Sequence, residues 1–401
     1  MPDSSEPHVP TADELAAEAT RLAGVAPLSI GAGSVWWLND RLSPDRSKDR
    51  FMWITARMSH VLSVASLRGS DEAKNFAWAA LAAIDGNFAD DEYGGWYSSL
   101  DSDGVWPPHK AAYDHAFVLL AASSAVMAGG PGATSLLRRA THVVDTHFWD
   151  QELGVMREGW DAAWTQCEPY IGANANMHSV EAFIAVADAT GNDMWIDRAV
   201  RIAQHFAAEA ERFEWRLPEH YSPDLQPDLA YNIDQPTHQF RPPGATPGHG
   251  FEWARLLTTL WARDPDQQWA LDAAQGFFKT AMADGWDTER GGLCYTTTFT
   301  GSPLVTSRFH WVHCEAALAG EMLVRATGDA QIRRDTDRIW AYTWGHFPDR
   351  SRGSWHHELD ENGVVAAHTW AGKPDLYHAF QACLGPELLL DRSVAASFVG
   401  K

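Results

Sequence analysis

The chemistry-bearing residues of this 401-residue chain stand at the starts of alternate apolar helical stretches: Arg57, Tyr113, His178, His249, Trp311 and His378, separated by 56, 65, 71, 62 and 67 residues. Imidazole, with an unperturbed pKa of about 6.5, accepts and returns a proton near neutral pH. Three histidines in such a series fit general acid/base chemistry, in which one side chain removes a proton and another supplies one. Any of them taken alone could equally be a satisfied core or rim residue, so the argument rests on the joint pattern.

Local spacing extends the set. Trp53 and Arg57, Asn174 and His178, His249 and Glu252, and Trp311 and Glu315 are each three or four residues apart, so each pair shares a helix face. Glu252 is spaced to orient His249 and raise its basicity; it also suits an ordinary first-turn carboxylate that favours a helix N-terminus. Arg57 lies in the otherwise apolar Trp53-Ile54-Thr55-Ala56-Arg57-Met58, where a guanidinium needs acceptors, either a structural carboxylate or ligand oxygens. Tyr113 and Asp114 fit supporting roles.

Residues so far apart converge only if the elements carrying them are repeated. Helical periodicity predicts twelve helices: 14–26, 51–67, 73–88, 111–127, 134–148, 177–190, 194–213, 250–262, 267–283, 312–327, 330–347 and 376–384. Short turns such as Arg68-Gly69-Ser70-Asp71 and Thr190-Gly191-Asn192-Asp193 join members of a pair. Longer segments with related turns, Asp90 to Gly95, Trp149 to Gly154, Trp286 to Gly292 and Pro348 to Gly353, separate the pairs and predict small hairpins. Six pairs bury their apolar stripes collectively by closing into two concentric rings, an all-α (α/α)6 barrel. An open helical solenoid is the competing architecture, but long connections gathered after the odd helices favour a closed ring with one elaborated face. The expected division is a flexible N-terminus at 1–10, one barrel domain at 11–395 and a C-terminal tail at 396–401.

Composition narrows the partners. With 31 basic against 53 acidic side chains, the formal charge of −22 disfavours nucleic acid and anionic membrane. The first ten residues lack a basic and apolar leader, and no stretch approaches ~18 apolar residues, so a soluble cytoplasmic protein is expected. Cys167, Cys294, Cys314 and Cys383 show no CxxC spacing and are read as reduced packing residues. Twenty tryptophans, many in Gly-rich or Asp-rich segments, suit the C–H faces of sugars as well as core packing.

Four stretches resemble the N-acylglucosamine 2-epimerase superfamily, nearest its mannose isomerase and sulfoquinovose isomerase branch. They are Asn174 to Ala182, Trp215 to His220, Arg241 to Trp253 and Gly372 to His378, and the likeness runs from about Trp36 to Gly385. The resemblance implies the (α/α)6 fold, no metal or organic cofactor, a monosaccharide substrate and aldose–ketose isomerisation through an enediol. Matched residue by residue, it places the acid/base histidines at His249 and His378. It puts Trp53, Arg57, Tyr113, Asn174, His178, Glu252 and Trp311 where relatives bind or orient the sugar. A monomer or homodimer is expected.

On that basis His378 would carry the proton between C2 and C1 while His249, oriented by Glu252, serves ring opening and the O1 and O2 protons. Arg57 would stabilise developing oxygen charge. A sugar 2-epimerase would use the same inventory, and a sulfonated sugar would call for further donors at C6, for which Arg241 and Gln381 are candidates. An (α/α)6 glycoside hydrolase would instead need paired carboxylates, with Glu252, Asp114 and Asp360 available. A non-catalytic sugar-binding barrel is the remaining alternative.

Overall fold

The computed structural model describes residues 8–31, 33–101 and 109–400. Of the segment expected to be flexible, residues 1–7 lie outside these. Among the described residues twelve α-helices form: α1 Ala12–Ala23, α2 Met52–Leu67, α3 Asp71–Ala83, α4 Ala112–Met127, α5 Ala133–Val143, α6 Ala173–Thr190, α7 Met194–Arg212, α8 Pro247–Arg263, α9 Gln268–Gly285, α10 His310–Thr327, α11 Ala330–His346 and α12 Tyr377–Leu384.

The even helices are buried on every face. In α2 every side chain from Met52 to Ala65 is buried, and its Thr55 hydroxyl returns to the Phe51 carbonyl at 2.9 Å. The odd helices bury one stripe, as α5 does with Ala133, Leu136, Leu137, Ala140 and Val143. Each even helix packs on the odd helix that follows it, while α1 packs on α12 and closes the ring. The even helices therefore form the inner ring and the odd ones the outer, as the period of the sequence required.

Three inner helices begin earlier than their periodicity predicts: α6 at Ala173, α8 at Pro247 and α10 at His310. Pro247 occupies the first turn, where its missing N–H costs nothing. Polar and glycine residues in the first turns of α6 and α8 mask the helical period, yet they are where the chain needs helix. At the opposite end residues 395–398 are packed. A 3₁₀ turn at Ala395–Phe398 is buried against α2, α4 and α6, with Phe398 3 % exposed, and it stoppers the far end of the barrel.

Short antiparallel pairs knit the long connections together. Residues 50–51 pair with 99–100, 109–111 with 159–161, 171–172 with 220–221, and 308–309 with 358–359. Each pair ties the strand entering an inner helix to the segment after the next outer helix. Buried turns repeat as well. Asp90 Oδ1 accepts the N–H groups of Glu92 and Tyr93 while its Oδ2 meets Lys110 Nζ at 2.7 Å, and Asp349 does the same with Ser351, Arg352 and Lys373 at 2.6 Å. No helix among the described residues is long and apolar enough to cross a membrane.

Candidate active site

The knitted connections fix where the inner helices start. Met52 N donates to Ser98 O (2.9 Å), Ala112 N to Glu158 O (2.7 Å), Ala173 N to Glu219 O (3.0 Å) and His310 N to His357 O (3.2 Å). These helix N-termini thus share one rim, and their N–H dipoles make that rim favourable for negative charge.

Inside the rim lies a cavity of about 520 Å³, measured to its open mouth. Arg57, Tyr113, Asn174, His178, His249, Glu252, Trp311 and His378 all line it, so eight of the nine residues singled out from the sequence come together. Trp53 does not. It stands behind Arg57, whose guanidinium carbon is 4.9 Å from its ring centroid, and faces an adjoining chamber of about 1180 Å³.

Two imidazoles are each held by a carboxylate. His378 Nδ1 lies 2.7 Å from Glu315 Oε1, and His249 Nδ1 lies 2.9 Å from Glu219 Oε1. A carboxylate on Nδ1 keeps the proton there and leaves the Nε2 lone pair as the base. Burial, followed by the nearby charge of Arg57, pushes His378 well below the ordinary histidine range, so it rests neutral. Trp311 stands against both rings, 5.3 Å from His249 and 5.9 Å from His378 between centroids. Gly248 makes that position accessible, because a Cβ there would lie 2.4 Å from the Trp311 ring.

The helical spacing misassigned the partner of His249. Glu252 shares its helix face, yet its carboxylate turns along the barrel axis, with Oε1 3.3 Å from Arg255 and 3.6 Å from His178 Nδ1. The neighbour of His249 is Glu219, from the loop strand that caps α6. Burial, then the charge of Glu315, pushes Glu252 well above the usual carboxylate range. Glu252 therefore meets the cavity as a neutral acid able to donate.

Arg57 satisfies both readings of it. It donates to Asp375 Oδ2 at 3.0 Å and to the Tyr113 hydroxyl at 2.9 Å while facing the cavity. Burial alone would raise the Asp375 carboxyl, but the charge of Arg57 foremost outweighs it and lowers it. The Asn174 side-chain oxygen has no protein partner, which leaves an acceptor for a ligand hydroxyl. His178 is neutral, brought to about 4 by burial.

Several lining residues escaped the sequence argument. His310 and His357 lie with ring centroids 3.9 Å apart and planes tilted by 33°, and burial lowers both, His310 to about 4. His310 immediately precedes Trp311 at a helix start and could have been found on that ground, whereas His357 arrives through the pairing of 358–359 with 308–309 and carries no local signal. Asp375 lies within one of the matched stretches and was not given a role. Neither candidate for a sulfonate lines this cavity, although Arg241 lines the adjoining chamber. Arg241 is forked onto Glu168 at 2.6 and 3.0 Å, outside the cavity lining, and Gln381 is wholly buried on α12. Nor do the hydrolase carboxylates meet, since Asp360 caps a hairpin turn through the N–H groups of Asn362 and Val364.

The chain is similar to known proteins along nearly its whole length. It is 46 % identical over 366 residues to a D-mannose isomerase of Thermobifida fusca, covering 90 % of each chain. It is 43 % identical to a D-mannose isomerase of Pseudomonas cannabina pv. alisalensis, covering 86 % of this chain and 85 % of the other. A crystal structure of a D-mannose isomerase superposes with a TM-score of 0.89 at 29 % identity, over 95 % of this chain and 99 % of that one, and shares the helical barrel. Residues 33–382 match the family described as N-acylglucosamine 2-epimerase (GlcNAc 2-epimerase). The chain belongs to the N-acylglucosamine 2-epimerase family.

Proposed function

We propose that this chain is an aldose–ketose isomerase that interconverts D-mannose and D-fructose, and by the same chemistry D-lyxose and D-xylulose. The observation that carries the reading is the pair of imidazoles, His378 and His249, each backed by a carboxylate on Nδ1 and set around Trp311 in one cavity.

In the proposed reaction His378 Nε2 takes the C2 proton of the open-chain aldose, and the C2–H electron pair becomes the C1–C2 double bond as the carbonyl electrons move onto O1. His249 moves a proton between O2 and O1. His378 then returns its proton to C1 and leaves the C2 ketone. No electron acceptor is required, because oxidation at C2 balances reduction at C1. The enediolate charge falls between Arg57 and the inner-helix N-termini, which both favour negative charge. Glu252, as a neutral carboxylic acid, donates to a sugar oxygen.

Mannose is favoured over a sulfonated sugar because the cavity lining, among the described residues, offers one guanidinium, Arg57, which is already committed to Asp375 and Tyr113. Sequence identity to two D-mannose isomerases favours isomerisation over 2-epimerisation. The four cysteines are free, three of them buried, which suits a reducing cytoplasm. We read the reaction as metal-independent.

The test is incubation with D-mannose, D-lyxose, D-glucose, N-acetylglucosamine, cellobiose and sulfoquinovose, scored for ketose and for C2 epimer by chromatography. Fructose from mannose is expected as the main product. A C2 epimer without ketose would replace the reading with an epimerase, and turnover of none of the panel would overturn it.

A further inference from the structure

Arg255 lies on α8 one turn beyond Glu252, is 4 % exposed, and takes no part in lining the sugar cavity. Its three guanidinium nitrogens reach three carboxyls on three inner helices. Nε donates to Glu315 Oε2 at 3.0 Å, one terminal nitrogen to Glu181 Oε1 at 3.3 Å, and the other to Glu252 Oε1 at 3.3 Å. The remaining oxygens of two of these carboxyls are also engaged: Glu315 Oε1 by His378 Nδ1 at 2.7 Å, and Glu181 Oε2 by the Tyr377 hydroxyl.

We propose that Arg255 is a positioning residue for the proton transfer, fixing through one planar fork both the carboxylate that orients His378 and the carboxyl that Glu252 turns to the sugar. The proposal rests on the reading of His378 and Glu252 given above.

A guanidinium holds its donors at fixed angles in one plane, so the position of Glu315 is set relative to Glu252 rather than independently. Three buried carboxyls share this one cation, and they cannot all be ionised cheaply. Glu315 receives two N–H donors and is the better anion, while Glu252 receives one long bond and keeps the shared proton; burial raises both carboxyls, Glu252 the further. The orientation of His378 and the donor character of Glu252 thus have one origin.

The test compares Arg255→Lys, Arg255→Met, Glu315→Gln and the double variant Arg255→Met/Glu315→Gln, with folding followed by circular-dichroism melts. In the mannose assay Arg255→Met should lower kcat about 100-fold with KM within about 3-fold, and Arg255→Lys, which keeps the charge and loses the fork, about 10-fold. Because Arg255 acts through Glu315, the double variant should lie within about 3-fold of the worse single one. A folded Arg255→Met or Arg255→Lys with near-parental kcat, or single effects that multiply, overturns the proposal. Arg255→Lys and Glu315→Gln keep the comparison available should Arg255→Met fail to fold. A second measurement is independent of any sugar. In ¹⁵N-histidine spectra His378 should hold the Nδ1–H tautomer in the parent and become a tautomer mixture in Arg255→Lys. An unchanged His378 signal overturns the proposal even if mannose proves not to be the substrate, whereas a changed signal without mannose turnover would sink the functional reading alone.

Discussion

His249 Nδ1 lies 2.9 Å from the Oε1 of Glu219, thirty positions upstream, although Glu252 sits on the same helix face three residues downstream. The loop strand carrying His220 pairs with the strand that enters α6, and this places Glu219 over the rim beside α8. If Glu219 fixes the His249 tautomer, Glu219→Gln lowers kcat by about 100-fold with little change in melting temperature. A kcat within twofold of the parent would show that the contact does not matter to turnover.

The depressed basicity of His378 gives a pH prediction with a definite sign. Its protonated form cannot accept the C2 proton, and burial pushes protonation well below the ordinary histidine range. The acid limb of kcat/KM for mannose should therefore lie below the unperturbed histidine value of about 6.5. An acid limb centred at or above that value would mean that another group controls it.

Gly248 bears on substrate binding through close approach. A methyl group there would lie 2.4 Å from the Trp311 ring, and overpacking of this kind costs about 1–3 kcal/mol or displaces the neighbour. Gly248→Ala should raise KM for mannose by about 10-fold, more than it lowers kcat, because the ring that flanks both histidines moves. Steady-state kinetics at saturating and limiting mannose separate the two effects.

Glu158 carries a stability cost that depends on pH. Burial raises its carboxyl to about 7, with Arg241 lowering it in part. Between the unfolded value of about 4.3 and this folded value, the folded chain retains a proton that the unfolded chain releases, so stability falls as pH rises through that window and stays reduced above it. Glu158→Gln keeps an acceptor for Gly172 N–H and removes the titration. It should be more stable than the parent by about 1–3 kcal/mol at pH 8, with the gain gone at pH 4, in denaturant melts.

Metal removal should not alter turnover. His178, Glu181 and Glu252 bring potential ligand atoms within 4.8 Å of one another, but Arg255 already supplies positive charge to both glutamates. After dialysis against EDTA the mannose rate should stay within about twofold of its starting value, since no metal is needed to polarise the sugar in this reading. Loss of activity restored by a divalent ion would contradict it.

Sequence by itself determined the ring. Twelve apolar-periodic segments in six pairs must bury their stripes against one another, and polar residues recurring at alternate helix starts meet once those helices form an inner ring with its N-termini on one side. Arg57, Tyr113, His178, His249, Trp311 and His378 were legible for that reason, because helical period and element order are local properties of the chain. Contacts between connections depended on the tertiary structure. Glu219 reaches His249 and His357 reaches His310 through pairings between loops far apart in sequence, and Trp53 sits behind Arg57 against Trp37, Phe240 and Trp370 of distant loops, which no local period encodes. The course of Glu252 was hidden likewise, since spacing of three residues tells which face a side chain shares but not which buried charge draws its carboxylate. Here Arg255 drew it towards the barrel axis, and a carboxylate from another loop was left to hold the imidazole.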